Sequence, residues 1–351
     1  MPFKKKLHLV GLDIGSRSIK AAEVVKTRGG YSLKNFGIID LPFGIIEEGS
    51  IKEPEKVTEV IRDLFKINRF KIKNVAISIG GYSVIVKKIN VHSMAEELLQ
   101  ETIHLEAEQY IPFDINEVNL DFQILGENES NPNQMSVLLV AAKKDMIDEY
   151  VNIIEMAGLN PSLVDVDAFA LQNVFELNYN DGEENVALVD IGASKTSLNI
   201  LKRGASEFIR DISFGCDQIN EQIIAHFGCS FEESEQLKRN QGADEQQADQ
   251  ILEIVNAIAA DWCNEIRRAL DFFYSSYPDD RINRILLSGG GAQIKVLQQL
   301  LATETSSEIS AINPLSKLNI ENRRIDISEF KQIAPQAAIC IGLAVRRVDD
   351  K

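Results

Sequence analysis

Asp13 and Asp190 each end an apolar run and open the same kind of short turn, Asp-Ile-Gly and a small residue, with Ser or Thr within the next three positions. The first copy reads GLDIGSRSIK, residues 11–20; the second lies in ALVDIGASKTSLNIL, residues 187–201. Gly15 or Gly192 permits the φ needed for a tight turn, which leaves backbone N–H groups pointing out together as an anion nest. The hydroxyls of Ser16, Ser18, Ser194 and Thr196 suit phosphate oxygens, and Asp13 and Asp190, at strand ends, suit a hydrated Mg2+. A lone turn of this kind is an ordinary hairpin. Two, each opening a similar β-rich lobe, imply a clamp on a polyphosphate from both sides. A third stretch, ILLSGGGAQIKVL, reads strand, glycines Gly289–Gly291, helix. Bare backbone there lets a nucleoside lie close, and the helix N-terminus adds positive potential, although many α/β folds contain such a turn.

The elements that must hold these turns follow from hydrophobic period. LHLVGLDIG, IKAAEVVK and YSLKNFGIIDLP read as three strands, the first two antiparallel. PEKVTEVIRDLFKIN, 54–68, reads as a helix with Pro54 in its first turn and Val57, Val60, Ile61 and Leu64 on one face. KNVAISIG is a buried strand. A β-α-β-β-α module follows, its first helix (93–111) expected to start on a Ser93–Glu96 capping box and to stop at Pro112. GENESNPN reads as a polar loop, and a helix ending at Gly158 completes the module. A helix over 167–177 leads to NVALVDIG, TSLNILKRG and SEFIRDIS, which repeat the opening pattern. Ser230 and Glu233 form another capping box. Residues 240–250 read as a polar loop, 250–277 as one long helix, and PQAAICIGLAVRRV as a buried helix.

At 351 residues and net charge −16 the chain suits two lobes, and it repels a phosphate backbone. No basic run is longer than Lys4–Lys6, so nucleic-acid binding is not expected. Cys216, Cys229, Cys263 and Cys340 form no C-x-x-C and are expected reduced; the four histidines make no metal pair. Asp13 cuts the opening apolar run too short for a signal peptide, and no run approaches the roughly 20 apolar residues of a membrane span.

GLDIGSRSIK resembles the first phosphate loop of the actin/Hsp70/sugar-kinase superfamily, VDIGASKTS the second, and LSGGGAQIKVL its adenosine motif. Within it the chain is most similar to the PilM family of type IV pilus assembly proteins, and next to the FtsA family. AEQYIPFDINEVNLDF, VAAKKDMIDEYVNIIEMAGLNPSLVDVDAFAL and FGCDQINEQIIAHFGCSFEESEQLK carry that likeness. The resemblance implies an α/β, two-lobed actin-like (RNase H-like duplicated) fold with a 1C-type insertion. Its expected bounds are 1–84 and 166–185 with helix 336–348 for the first lobe and 85–165 for the insertion. The second lobe takes 186–213 and 281–335, and a helical subdomain takes 214–280.

The resemblance further implies that Asp13, Gly15, Ser16, Ser18 and Lys20 face ATP phosphates from one lobe and Asp190, Gly192, Ser194 and Thr196 from the other. Gly289, Gly290, Gly291 and Gln293 lie by the nucleoside, and Gly215 by the sugar. Asp261, Glu265 and Arg268 share a helix face; Glu265 would take the ribose and Arg268 stack on adenine, or the three form a solvated ion-pair stripe. Where relatives carry glycines, this chain has Ala193-Ser194-Lys195. Lys195 is expected to point to solvent, the alternative being a γ-phosphate contact. Asp167 is the one candidate hydrolytic base, or else a helix N-cap. ATP with Mg2+ is therefore expected to act as a conformational ligand with slow or no turnover.

The implied partner is the N-terminal cytoplasmic segment of PilN, together with other pilus assembly proteins and scope for self-association. Binding would place a cytoplasmic protein at the inner membrane indirectly. Tyr110, Ile111, Pro112 and Phe113 are the candidate lining, with core packing as the alternative. Three other readings are weaker. A small-molecule kinase of the superfamily needs an acceptor site, an FtsA-like filament protein carries a C-terminal anchor, and a type II secretion subunit of this fold continues into a membrane span.

Overall fold

The computed structural model describes residues 8–47, 49–128, 131–179, 184–239, 241–320 and 326–347. Lys4–Lys6, the tip at 129–130 within the expected polar loop, and the chain from 348 onward lie outside them. The described chain opens as an antiparallel meander of β1 (Val10–Ile14), β2 (Ser18–Thr27) and β3 (Gly30–Asp40). A ribbon of β4 (Ile46–Glu47) and β5 (Ser50–Ile51) leads to α1 (Pro54–Ile67), whose Val57, Val60, Ile61 and Leu64 are buried as their spacing requires. β6 (Asn74–Ile79) then lies parallel to β1.

Next, β7 (Val84–His92), α2 (Glu96–Ala107), β8 (Val118–Asn128) and β9 (Asn131–Lys143) build a separate three-stranded sheet, ordered β7-β9-β8. Its core gathers around Leu99, Ile103, Val137 and Leu139. The expected Ser93–Glu96 capping box does not form. Ala95 is the N-cap and makes no side-chain cap bond; Ser93, one residue past β7, is still tied to the sheet by its N–H, which donates to Asn133 O.

α3 (Lys144–Met156) and β10 (Asn160–Val166), expected in the inserted module, return instead to the first sheet. Tyr150, Ile153 and Ile154 of α3 share a core with α1, and β10 pairs parallel to β6. No turn separates β9 from α3, so the sequence carries no break where the module ends, and β10, with Pro161 second and a register shift between Pro161 and Leu163, has no regular strand pattern.

After α4 (Asp167–Asn178), β11 (Val186–Ile191), β12 (Thr196–Lys202) and β13 (Ala205–Ile212) repeat the opening meander. α5 (Asp217–Phe227), α6 (Phe231–Lys238) and α7 (Glu245–Ser276) follow. Ser230 and Glu233 do box the start of α6; a second box, Asp244 with Gln247, makes 245–250 helix and not loop. β14 (Arg284–Gly289), α8 (Lys295–Thr305) and β15 (Glu308–Ala311) complete the second sheet. β16 (Leu318–Ile320), expected with the second lobe, pairs with β3 in the first sheet. α9 (Ile327–Ile333) precedes α10 (Ala338–Ala344), which is buried throughout.

The sheet orders, β10-β6-β1-β2-β3-β16 and β13-β12-β11-β14-β15, share one pattern: a three-strand meander with two parallel strands beside its first strand. α4 and α10 join the two halves. One apolar cluster takes Val24 and Leu33 from the first sheet, Leu188 and Leu201 from the second, and Leu171 and Ile341 from these helices. The helices touch backbone to backbone: a Cβ on Gly342 would lie 1.8 Å from Ala170 O. Overpacking of this kind costs about 1–3 kcal/mol. Gly342→Ala is therefore expected to lower the unfolding free energy in urea by that amount, with a lower midpoint; an unchanged midpoint would mean that the helices separate freely.

Candidate functional site

The two Asp-Ile-Gly turns close identically. Gly15 N–H donates to Ser18 O at 3.1 Å, and Gly192 N–H to Lys195 O at 2.9 Å. Neither glycine has a left-handed φ, so the expected reason for glycine is replaced by another. A Cβ would crowd the carbonyl that closes the turn, at 3.2 Å from Ser18 O and 3.1 Å from Lys195 O. The turns face one another across the cleft, with Ser16 Oγ 2.8 Å from Ser194 Oγ. Beneath the first turn Lys20, level with Asp13 on the neighbouring strand, donates to Asp13 Oδ2 at 3.0 Å.

The second turn is braced from outside. Cys216 N–H donates to Gly192 O and Asp217 N–H to Ala193 O, both at 2.9 Å. Gly215 is packed so closely that a Cβ would lie 2.2 Å from Ala193 O, so it serves the turn's support. Thr196 does not face the cleft: it is fully buried, and its hydroxyl donates to Phe214 O at 2.9 Å. Strand alternation explains this, since Thr196 begins β12 on its inner side.

Lys195 does not project into solvent either. Its ammonium crosses to the first half and donates to Asp167 Oδ2 at 2.7 Å, while Ser78 Oγ donates to Asp167 Oδ1 at 2.6 Å. Val166 occupies the N-cap position of α4, which places Asp167 in the first turn. Burial alone would raise the Asp167 carboxyl; the Lys195 charge and the hydrogen bonds from Lys195 and Ser78 outweigh it and hold the group below its usual range. Gly80 makes this crossing possible, since a Cβ there would lie 2.3 Å from Lys195 Nζ. Beside it, Gly81 N–H donates to Asp211 Oδ2 at 2.6 Å. Ser78, Gly80 and Gly81 were not singled out from the sequence, although SIGG after an apolar strand resembles the SGGG that was.

Among the described residues no Lys or Arg makes an ion pair with Asp190. Burial, with some repulsion from Asp13 and Asp167, pushes its carboxyl up to about 6, partly offset by Ser288 and Lys20. Three half-buried carboxylates thus share a cleft floor with two lysines.

At the turn after β14, Gly289 takes φ 78° and a Cβ would lie 2.3 Å from Ile191 O; a Cβ on Gly291 would lie 2.3 Å from Ile191 Cγ2. These two glycines serve packing on β11; Gly290 is the open one, where a Cβ would meet nothing nearer than Cys216 Sγ at 3.9 Å. Gln293 donates its amide to Gln332 O. Glu265 and Arg268 pair with each other on the outer side of α7, where Asp261 is also exposed. Ile111 lies in the core of the small sheet. Tyr110 and Phe113 pack against that core beneath Lys87 and Lys143, and Pro112 is exposed.

Among the described residues no helix is long and apolar enough to cross a membrane, and no three His, Cys, Asp or Glu side chains group to hold a metal directly.

Duplicate half-sheets with facing turns, joined by a buried helix pair, define a protein of the two-lobed actin-like class. The model of the family described as type IV pilus assembly protein PilM matches residues 11–348, and the chain belongs to that family. A solved PilM-PilN type IV pilus biogenesis complex is similar over 98% of this chain and 100% of that one, with 26% identity and a TM-score of 0.87. The cell division protein FtsA of Bacillus subtilis is 24% identical over 271 residues, 70% of this chain and 61% of FtsA, so the match spans less than two thirds of that relative. The ethanolamine utilization protein EutJ from Carboxydothermus hydrogenoformans shares the fold at 13% identity and a TM-score of 0.59, over 96% of this chain and 89% of its own.

Replacing Asp190 by Asn tests the electrostatics. A carboxyl raised in the fold loses stability as pH rises from its unfolded value through about 6. The Asn variant should therefore be the more stable protein at pH 7 to 8 in urea unfolding, and its advantage should fade as pH falls through about 6. A pH-independent difference would contradict this.

Proposed function

We propose that this protein is an ATP-binding adaptor of type IV pilus assembly that receives the N-terminal cytoplasmic segment of PilN. The observation that carries the nucleotide reading is the meeting of Ser16 and Ser194 across the cleft. A phosphate entering there replaces one hydroxyl contact by two, one from each half, and so binds the halves in one arrangement. Gly15 and Gly192 shape the turns, Lys20 keeps positive charge beneath the first one, and Gly290 receives the nucleoside. Burial opposes the Lys20 charge, but its Asp13 partner holds it protonated.

The donor set also suits Mg2+. Asp190 is a half-buried carboxylate with no ion pair among the described residues, and Asp13 is shared with Lys20; with no three-carboxylate group among the described residues, the ion would be held through water and phosphate oxygens. Mg2+ would neutralise phosphate charge at this floor.

Slow or absent turnover follows from Asp167. A carboxyl held ionised by Lys195 and Ser78 is a weak base with both oxygens occupied. Ala193 beside Ser194 adds bulk where relatives carry glycine. The small sheet β7-β9-β8 with α2, residues 84–143, is the proposed 1C-type unit, and its approach to the first lobe is the proposed peptide site. Binding PilN there would place the protein at the inner membrane.

Titration of the purified protein with a PilN N-terminal peptide, with and without ATP-Mg2+, tests this reading. Saturable binding that ATP strengthens is expected; no binding in either condition contradicts the adaptor. Asp190→Ala is expected to abolish ATP-Mg2+ binding while the protein stays folded, and unchanged affinity would reduce the second turn to a hairpin.

A further inference from the structure

The cleft lies at one end of the first sheet, and the opposite end carries a charge pattern that none of the above uses. Val10 opens β1 and pairs with Glu23 on β2 and Val75 on β6. The β2–β3 hairpin and the connector from α1 to β6 therefore both project past that end. Asn35 ties them, its amide donating to Asn68 O at 2.6 Å. Residues 23–34 and 62–74 hold eight Lys and Arg against two acids, Glu23 and Asp63, on a chain of net charge −16. Lys26, Arg28, Lys66, Arg69, Lys71 and Lys73 are exposed, and no carboxylate among the described residues makes an ion pair with them.

The connector presents these charges on a fixed backbone. Asn68 caps α1 by donating to Leu64 O at 2.9 Å, Phe70 N–H donates to Phe65 O at 3.0 Å, and the two phenyl rings lie 5.0 Å apart. Arg69 between them is held at φ 57°. Ile67, the last residue of α1, stands among the cations with 67% of its surface exposed.

We propose that this end of the first sheet is a docking face for an anionic membrane surface. The cations run along a sheet rim from hairpin to connector and do not surround a slot, which an acidic peptide would need. The nearby groove of about 410 Å3 lies at the other end of α1, beside Pro54, and is lined by Asp145, Asp148 and Glu149. A plane of lipid phosphates meets a rim of separated cations, and Ile67 reaches the boundary between headgroups and acyl chains. Docked this way, the first sheet stands on the membrane with its cleft facing away. The sequence hid the patch because apolar residues separate its cations: KINRFKIK is not a basic run.

Co-sedimentation of the full chain with vesicles tests the proposal. Binding is expected to vesicles of phosphatidylcholine and phosphatidylglycerol in equal parts, to weaken with salt, and to be absent with phosphatidylcholine alone. At about fivefold per basic residue, the double variant Lys71→Glu, Lys73→Glu should bind at least about 25-fold less. Its urea midpoint should match the parent, and Ile67→Ser should weaken binding further. Equal binding to neutral vesicles, no binding to mixed ones, or an unaffected double variant overturns the proposal. Displacement by inorganic phosphate, but not by chloride of equal ionic strength, would make this a phosphate site. Capture of polyglutamate without vesicle binding would make it a site for an acidic protein. Either result also overturns the proposal.

Discussion

Three carboxylates, Asp13, Asp167 and Asp190, lie half-buried on one cleft floor, and among the described residues Lys20 and Lys195 are the cations paired there. Buried charge is tolerated where it is paired, and here the pairing is incomplete. Asp190 carries the deficit. On the proposed reading Mg2+ supplies the cation that Asp190 lacks, and the phosphate oxygens that accompany it take the turn hydroxyls above.

The fold supplies this charge from both halves. Each half-sheet brings an Asp to the end of its first strand and a turn above it, because the same meander is built twice. The halves are then joined at three levels. α4 and α10 pack beneath the floor, with Gly342 against Ala170. On the floor itself Lys195 of the second half holds Asp167 of the first. Farther out, Lys88 of the small sheet pairs with Glu207 of β13 at 2.7 Å. A ligand that changes how the turns meet therefore pulls on a continuous seam reaching the proposed partner module.

The duplicated turns were legible because a four-residue turn needs particular residues at fixed spacing. The α6 capping box was legible for the same local reason. Ser93 and Glu96 fit the same pattern and failed, since a sheet bond claimed the Ser93 backbone first. The partner of Lys195 is 28 residues away and reached only through the crossing of α4, so no local pattern reveals it. The membership of α3 and β10 depends on which sheet lies open to them, and that is decided by tertiary packing. The inward turn of Thr196 and the packing roles of Gly289 and Gly291 likewise emerge only when neighbouring strands are in place.

The central claim is that the cleft holds ATP without using it up. Equilibrium dialysis with ATP-Mg2+, followed by analysis of the nucleotide recovered from the protein after prolonged incubation, addresses this directly. The account predicts about one nucleotide per chain, recovered as ATP. Stoichiometric recovery as ADP with released phosphate would contradict it, and would mean that Asp167 leaves Lys195 to act as a base once the nucleotide is bound.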